Sequence, residues 1–294
     1  MTVTRRRFAA GALAAAGTLA SAAPRPAGAV IILDSTWRAE GGFRAHMALA
    51  DQPQFASVIA LSSDDGQVWG SASGTWLGNL RGRARILTAA HVFSRGGTAD
   101  DYVYRAPDGT AMQGTDIVFH PLYNWNNDER TGYDFAVVQL DGPIEDAGPP
   151  PALYGGNRED GQRIVMVGWG SRGIGSVGQK PNYYIEPGKA AATNKIDEVV
   201  DAVRPPSKSG DAGNWMGVTL RRESEGAERL DGILGSGDSG GSAWIRTEGG
   251  GWAICGVNAN GNGDTYGSRS WFARVSGVRD WLAATVPGLR FVSQ

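Results

Sequence analysis

Ser239 stands in Gly237-Asp238-Ser239-Gly240-Gly241, a hydroxyl set between an acid and glycines. Glycine accepts positive φ and has no side chain, so such a segment can turn sharply and approach a substrate closely. The turn leaves the Ser239 hydroxyl open and frees the amides of Gly237 and Ser239 to bind a developing oxyanion. Alone, the pentapeptide is equally well an ordinary surface loop. A serine hydroxyl is a poor nucleophile until a base takes its proton, and that base needs a third group to orient it. Among the 3 histidines of the chain, His91 follows the apolar and small residues Leu87-Thr88-Ala89-Ala90. Asp134 stands at the mouth of the β-prone run Phe135-Ala136-Val137-Val138-Gln139-Leu140. The order His, Asp, Ser is one of three unrelated orders in which such a triad is built.

The chemistry assigns the roles. Ser239 attacks the carbonyl carbon of a peptide or ester. His91 takes the serine proton and returns it to the leaving group, while Asp134 fixes the imidazole tautomer and stabilises its positive charge. Asp238 reads as a structural anchor of the oxyanion loop. His46 and His120 lack such company and read as structural or surface residues.

These three segments resemble those of the trypsin/chymotrypsin family of serine proteases, and further segments extend the resemblance in order along the chain. His120-Pro121-Leu122-Tyr123-Asn124 is similar to the family's stretch before the catalytic Asp, and Val167-Gly168-Trp169-Gly170 to its Gly-Trp-Gly. Val275-Ser276-Gly277-Val278-Arg279-Asp280-Trp281-Leu282 resembles the start of its C-terminal helix. The resemblance implies an all-β, chymotrypsin-like fold of two six-stranded antiparallel Greek-key β-barrels with a C-terminal helix. It implies a monomeric serine endopeptidase that acts on polypeptides through an acyl-enzyme and needs no cofactor.

In the family the residue six before the nucleophile forms the base of the primary pocket, which is Ile233 in this sequence. The pocket walls map to Ala259, Gly261 and Ser270. An apolar base with small walls implies a preference for uncharged, small-to-medium side chains. The family also implies an activation step, in which a new N-terminus folds in to pair with the acid before the serine. Arg38-Ala39-Glu40-Gly41-Gly42 faintly resembles such a site, with Ala39 as the new terminus. The alternative is a plain extension, with Asp238 held by an internal Arg or by backbone amides. Cys255 is the only cysteine, so no intramolecular disulfide can form, a departure from extracellular members of the family.

The elements that must position these residues are legible in outline. Thr4-Arg5-Arg6-Arg7-Phe8, an Ala/Gly/Leu-rich run and small residues before Val30 read as a bacterial export signal of the twin-arginine type over residues 1–29. The run falls short of the ~20 strongly apolar residues of a membrane span. Ala20-Ser21-Ala22 and Ala27-Gly28-Ala29 both fit a cleavage site. Residues 30–50 read as an extension or propeptide and 51–294 as the catalytic domain. Its first barrel covers about 51–148 and its second about 152–294, joined by a Pro-rich linker from Asp141 to Gly155. Short β-branched and aromatic runs separated by Gly, Asp and Ser clusters predict strands in both halves. Thr193 to Ala227 reads as polar surface loops around the cleft, and Val278 to Thr285 as an amphipathic helix.

A net charge of −2 gives no reason to expect nucleic acid or an anionic membrane as partner. The expected product is secreted or periplasmic, away from the membrane once the signal is removed. Cys255 lies in an apolar run and reads as a buried, inert thiol. Asn258-Ala259-Asn260-Gly261-Asn262-Gly263-Asp264 offers oxygen ligands but lacks the acids of a calcium loop, so a turn is the better reading and no metal is expected. Two rival functions share this sequence: a catalytically silent binding or adhesion module, and an esterase using the same triad.

Overall fold

The computed structural model describes residues 30–126, 132–180, 188–203, 206–208 and 214–293. The leader expected over 1–29 and part of the polar stretch from Thr193 to Ala227 lie outside them. Among the described residues no helix is long and apolar enough to cross a membrane.

Val30-Ile31-Ile32-Leu33 is apolar and fully buried, and it yields a short strand, β1 (Ile31–Ile32). Helices α1 (Asp34–Glu40) and α2 (Arg44–Ala50) follow. Asp34 favours the positive N-terminal end of α1, and Gly41 closes it in the left-handed conformation. The segment read as an extension is therefore built into the body of the protein. Arg38 and Ala39 lie inside α1, and the N-terminal-segment amide that meets Asp238 is that of Val30.

Six strands make the first half: β2 (Val58–Ser62), β3 (Ala72–Leu80), β4 (Arg83–Thr88), β5 (Val103–Arg105), β6 (Ala111–Phe119) and β7 (Ala136–Leu140). They close a barrel in the order β2-β3-β4-β7-β6-β5 around Ile59, Leu61, Trp76, Ile86, Tyr104 and Val138.

The linker itself carries β8 (Ala152–Tyr154), which the sequence pattern hid among prolines. Then come β9 (Arg163–Gly168), β10 (Gly173–Ile174), β11 (Gly178–Gln179), β12 (Ala190–Lys195), β13 (Glu198–Val203), β14 (Pro206–Lys208) and β15 (Trp215–Thr219). The half is completed by β16 (Gly232–Ile233), β17 (Ser242–Arg246), β18 (Trp252–Gly261), β19 (Arg269–Arg274), helix α3 (Arg279–Thr285) and β20 (Phe291–Val292). Its main sheet runs β12-β9-β17-β18-β19-β15-β13-β14, and β1 is inserted between β10 and β16.

The stretch expected as loops thus supplies β13, β14, β15 and the second half of β12. Asn194 shows how a polar residue becomes compatible with a buried strand. Asn194, fully buried, donates through Nδ2 to the carbonyls of Thr219 (3.1 Å) and Gly232 (2.8 Å). Such bonds remove the penalty of burying an amide.

One apolar cluster crosses the seam between the halves, joining Phe55, Leu77, Leu87 and Phe135 to Trp215, Trp244 and Val257. Trp281 of α3 packs edge-on to His120, whose ring stacks on Tyr133 at 4.8 Å. The C-terminal helix is thereby fastened to the first barrel.

Candidate active site

Strand pairing alone brings the base and its orienting acid together. β4 and β7 are antiparallel neighbours with Thr88 opposite Ala136. His91 lies three residues past Thr88, in the 3₁₀ turn Ala90–Val92, and Asp134 lies two residues before Ala136. Ala89 and Ala90 are fully buried, and their small side chains let the turn sit tightly on the barrel end.

Asp134 is 1% exposed and grips His91 twice. Its Oδ1 accepts the His91 backbone N–H at 2.8 Å and its Oδ2 accepts the ring Nδ1–H at 2.6 Å. That holds the imidazole as the tautomer with its lone pair at Nε2, which lies 2.8 Å from Ser239 Oγ. The serine O–H then donates to Nε2, the geometry of a general base poised over a nucleophile.

Ser239 reaches that position on the loop between β16 and β17. Gly237 has φ +91 and Gly240 φ +83, and a Cβ at these positions would collide with the Gly70 carbonyl and with Thr88 Oγ1 respectively. Only glycine fits both turns. Among the described residues neither the Gly237 nor the Ser239 amide donates to a protein acceptor, so both are available to an oxyanion.

The first barrel clasps this loop through Ser73 on β3, a residue that sequence reasoning did not single out. Its N–H donates to the Ser239 carbonyl at 2.8 Å, and its Oγ donates to the Gly237 carbonyl at 2.9 Å. The same Oγ accepts the Trp169 N–H at 2.9 Å. Asn258 secures the other side, its Nδ2 donating to the carbonyls of Val167 and Asp238.

Asp238 is fully buried and turned away from the triad. Its carboxylate accepts N–H bonds from Gly235 (2.7 Å), Gly170 (2.9 Å) and Val30 (3.1 Å). Backbone amides hold it, one of them from the N-terminal segment. Burial nevertheless pushes its carboxyl up to about 6, against the opposing pull of those three bonds. Val30 is completely buried and has φ +65, a conformation that costs a β-branched residue energy.

Beside Ser239 lies a cavity of about 330 Å³, bounded by Gln179, Leu234, Gly235, Ser236, Ala259, Asn260, Gly261, Gly263 and Asp264. Ala259 and Gly261 line it as the sequence implies. Ile233 does not. It is fully buried, paired with Ile31 across β16 and β1, and its side chain belongs to the core beneath. Ser270 is also fully buried, its Oγ accepting the Leu234 N–H at 3.1 Å behind the wall. The apolar contribution to the cavity comes from Leu234, one residue on. Gln179 and Asp264 also line it, and neither was foreseen.

The remaining candidates are structural. His46 is buried and its Nδ1 bonds the Ala191 carbonyl at 2.7 Å; burial holds its imidazole down at about 4. His120 sits in the aromatic seam already described, and burial also lowers it. Cys255 is buried against the Ala243 carbonyl, with its thiol pushed up by burial. In the Asn258–Asp264 loop, Asn262 Oδ1 accepts the Arg269 N–H and Asn260 Oδ1 the Gly261 N–H, so these oxygens shape the hairpin. Among the described residues no group of three or more His, Cys, Asp or Glu could hold a metal ion.

Comparison with known proteins adds an independent line. No curated protein matches the chain. The family model described as Trypsin matches residues 67–202, a span that contains His91 and Asp134 and stops short of Ser239. With the closed β-barrel and the second barrel-like half, this match supports the trypsin/chymotrypsin-like serine protease family and its two-barrel fold for this chain.

Proposed function

We propose that the protein is an exported serine endopeptidase. The observation that carries the reading is the unbroken series Asp134–His91–Ser239, with links of 2.6 and 2.8 Å. In this reading the serine proton passes to Nε2 as Oγ attacks the peptide carbonyl. The imidazolium is stabilised by Asp134, the oxyanion is received by the amides of Gly237 and Ser239, and the leaving amine takes the proton from His91. Water then repeats the sequence on the acyl-enzyme. A silent binding module has no need of two serial hydrogen bonds at these lengths beside two amides that donate to no protein acceptor. Ser239→Ala is expected to abolish hydrolysis of a denatured protein substrate; full activity in that variant would contradict the reading.

Export and maturation belong to the same proposal. Ala27-Gly28-Ala29 fits an export cleavage site and ends at Val30, whose nitrogen is already at Asp238. Cutting the 29–30 bond converts that nitrogen into an ammonium facing a buried carboxylate. The cut also removes the preceding carbonyl, and with it the steric cost of the positive φ at Val30. The product is secreted or periplasmic, and removal of the leader completes its active form.

A further inference from the structure

In a trans peptide the C=O and the N–H point to opposite sides, so whatever anchors a carbonyl also aims the amide beside it. Every carbonyl from Ser236 to Ser239 is anchored. The Ser171 N–H donates to the Ser236 carbonyl at 2.5 Å, which turns the Gly237 N–H the other way. Ser73 Oγ donates to the Gly237 carbonyl at 2.9 Å, and the Ser73 N–H to the Ser239 carbonyl at 2.8 Å. The Asp238 carbonyl shares a peptide with the Ser239 N–H; it accepts the Gly241 N–H at 3.0 Å and Asn258 Nδ2 at 3.1 Å. Two of these anchors are side chains, Ser73 from β3 in the first barrel and Asn258 from β18 in the second half, and both residues are fully buried. Each is braced against a further segment. Ser73 Oγ accepts the Trp169 N–H at 2.9 Å, and Asn258 Nδ2 also donates to the Val167 carbonyl at 3.0 Å. Among the described residues Asn258 Oδ1 has no partner, so its two donations come with a buried unpaired acceptor, a cost that an apolar side chain avoids.

Taking the proposed peptidase reading as its basis, we propose that Ser73 and Asn258 are positioning residues, one from each half, that jointly aim the Gly237 and Ser239 amides at the oxyanion. Amides fixed before the reaction need no reorganisation as negative charge develops, and that is where their catalytic value lies. The ground-state carbonyl carries less charge and gains less from the same alignment. Loss of either anchor therefore falls on the transition state and not on substrate binding. The links from Asp134 to His91 and from His91 to Ser239 do not pass through either side chain, so the base and nucleophile stay assembled without them.

The test compares mature wild type with Ser73→Ala and Asn258→Ala on one peptide substrate and against a peptide boronic acid. The boronate forms a tetrahedral adduct on the nucleophile and places an oxygen where the oxyanion would lie. Each variant is expected to lose about tenfold to a hundredfold in kcat with KM within about twofold of wild type. The inhibition constant of the boronate is expected to rise in step with the loss in kcat/KM, a correlation that a merely structural role would not produce. The pKa of His91 in the pH profile of kcat/KM is expected to stay at its wild-type position, which separates a misaimed amide from a damaged triad. Two variants in different halves keep the test open if one of them does not fold. Wild-type kcat in a folded variant, a loss carried by KM, or a fall in kcat with unchanged boronate affinity would each overturn the proposal. In all three of those cases the wild type still cleaves the peptide, so the peptidase reading survives. An enzyme that cleaves no peptide and leaves Ser239 unreactive would overturn both.

Discussion

At the scale of single residues, Asp134 has two separable tasks, because its two oxygens bind different groups of His91. Oδ1 holds the backbone of the turn and Oδ2 sets the ring tautomer. Asp134→Asn can keep one of these interactions but not both: its amide N–H₂, placed at the ring, would force the proton onto Nε2. The serine would then face a donor, and no base would remain. We expect kcat to fall by a factor on the order of 10⁴ with little change in KM, as in the handling of such triads generally. A loss below tenfold, measured by steady-state hydrolysis, would mean that the tautomer is set by something other than Asp134.

At the scale of elements, β1 matters out of proportion to its length. It pairs with β10 on one side and β16 on the other, so the N-terminal segment joins the strand that leads into the nucleophile loop. Cleavage before Val30 changes the electrostatics of this junction in a way that pH reveals. With the bond intact, Asp238 has its carboxyl raised from the ordinary 3.8 to about 6 by burial. The folded state then holds that proton more tightly than the unfolded chain. Stability is expected to fall as pH rises from about 4 to about 6, by roughly 3 kcal/mol in all. With the bond cut, an α-ammonium faces the carboxylate and its own pKa rises above the ordinary ~8. Stability is then fully present below about pH 8 and is lost as pH rises through the raised amine value. Thermal unfolding of cut and uncut chains across this range should separate the two profiles, and identical profiles would show that the cut leaves Asp238 unpaired.

At the scale of the whole molecule, a single cysteine leaves packing and internal polar links to hold two halves together. Within the second half, Glu159 and Arg274 form a buried ion pair. Arg274 donates through Nε (2.8 Å) and Nη2 (2.7 Å) to the two oxygens of Glu159, and Ser276 Oγ donates to Oε1 at 2.7 Å. Both charged side chains are almost completely buried, at 3% and 0% exposure. Glu159→Ala removes the carboxylate that this buried guanidinium bonds twice and is expected to cost about 3–5 kcal/mol, read from denaturant unfolding. A loss under about 1 kcal/mol would mean that water or another group replaces the carboxylate.

The same scale shows what the sequence discloses and why it stops. The triad is legible because each member is marked locally, by glycines around Ser239 and by strand ends beside His91 and Asp134. Strands such as β7, β9 and β17 are legible because apolar β-formers fill them. β12 and β13 are not, because residues such as Asn194 become compatible with a buried strand only through partners distant in sequence. The cavity wall fails for a register reason: pairing of β16 with β1 turns Ile233 into the core and leaves Leu234 to line the cavity. Asp264 and Gln179 come from separate hairpins, and no local pattern brings them together.

The most direct test of the central claim is reaction with a fluorophosphonate, which modifies a serine only where a base has activated it. Mature wild-type protein and Ser239→Ala would be treated side by side and the modified residue located by peptide mass spectrometry. The account predicts stoichiometric labelling at Ser239 in the wild type and none in the variant. Labelling that persists in Ser239→Ala, or its absence from correctly folded wild type cut before Val30, would contradict it.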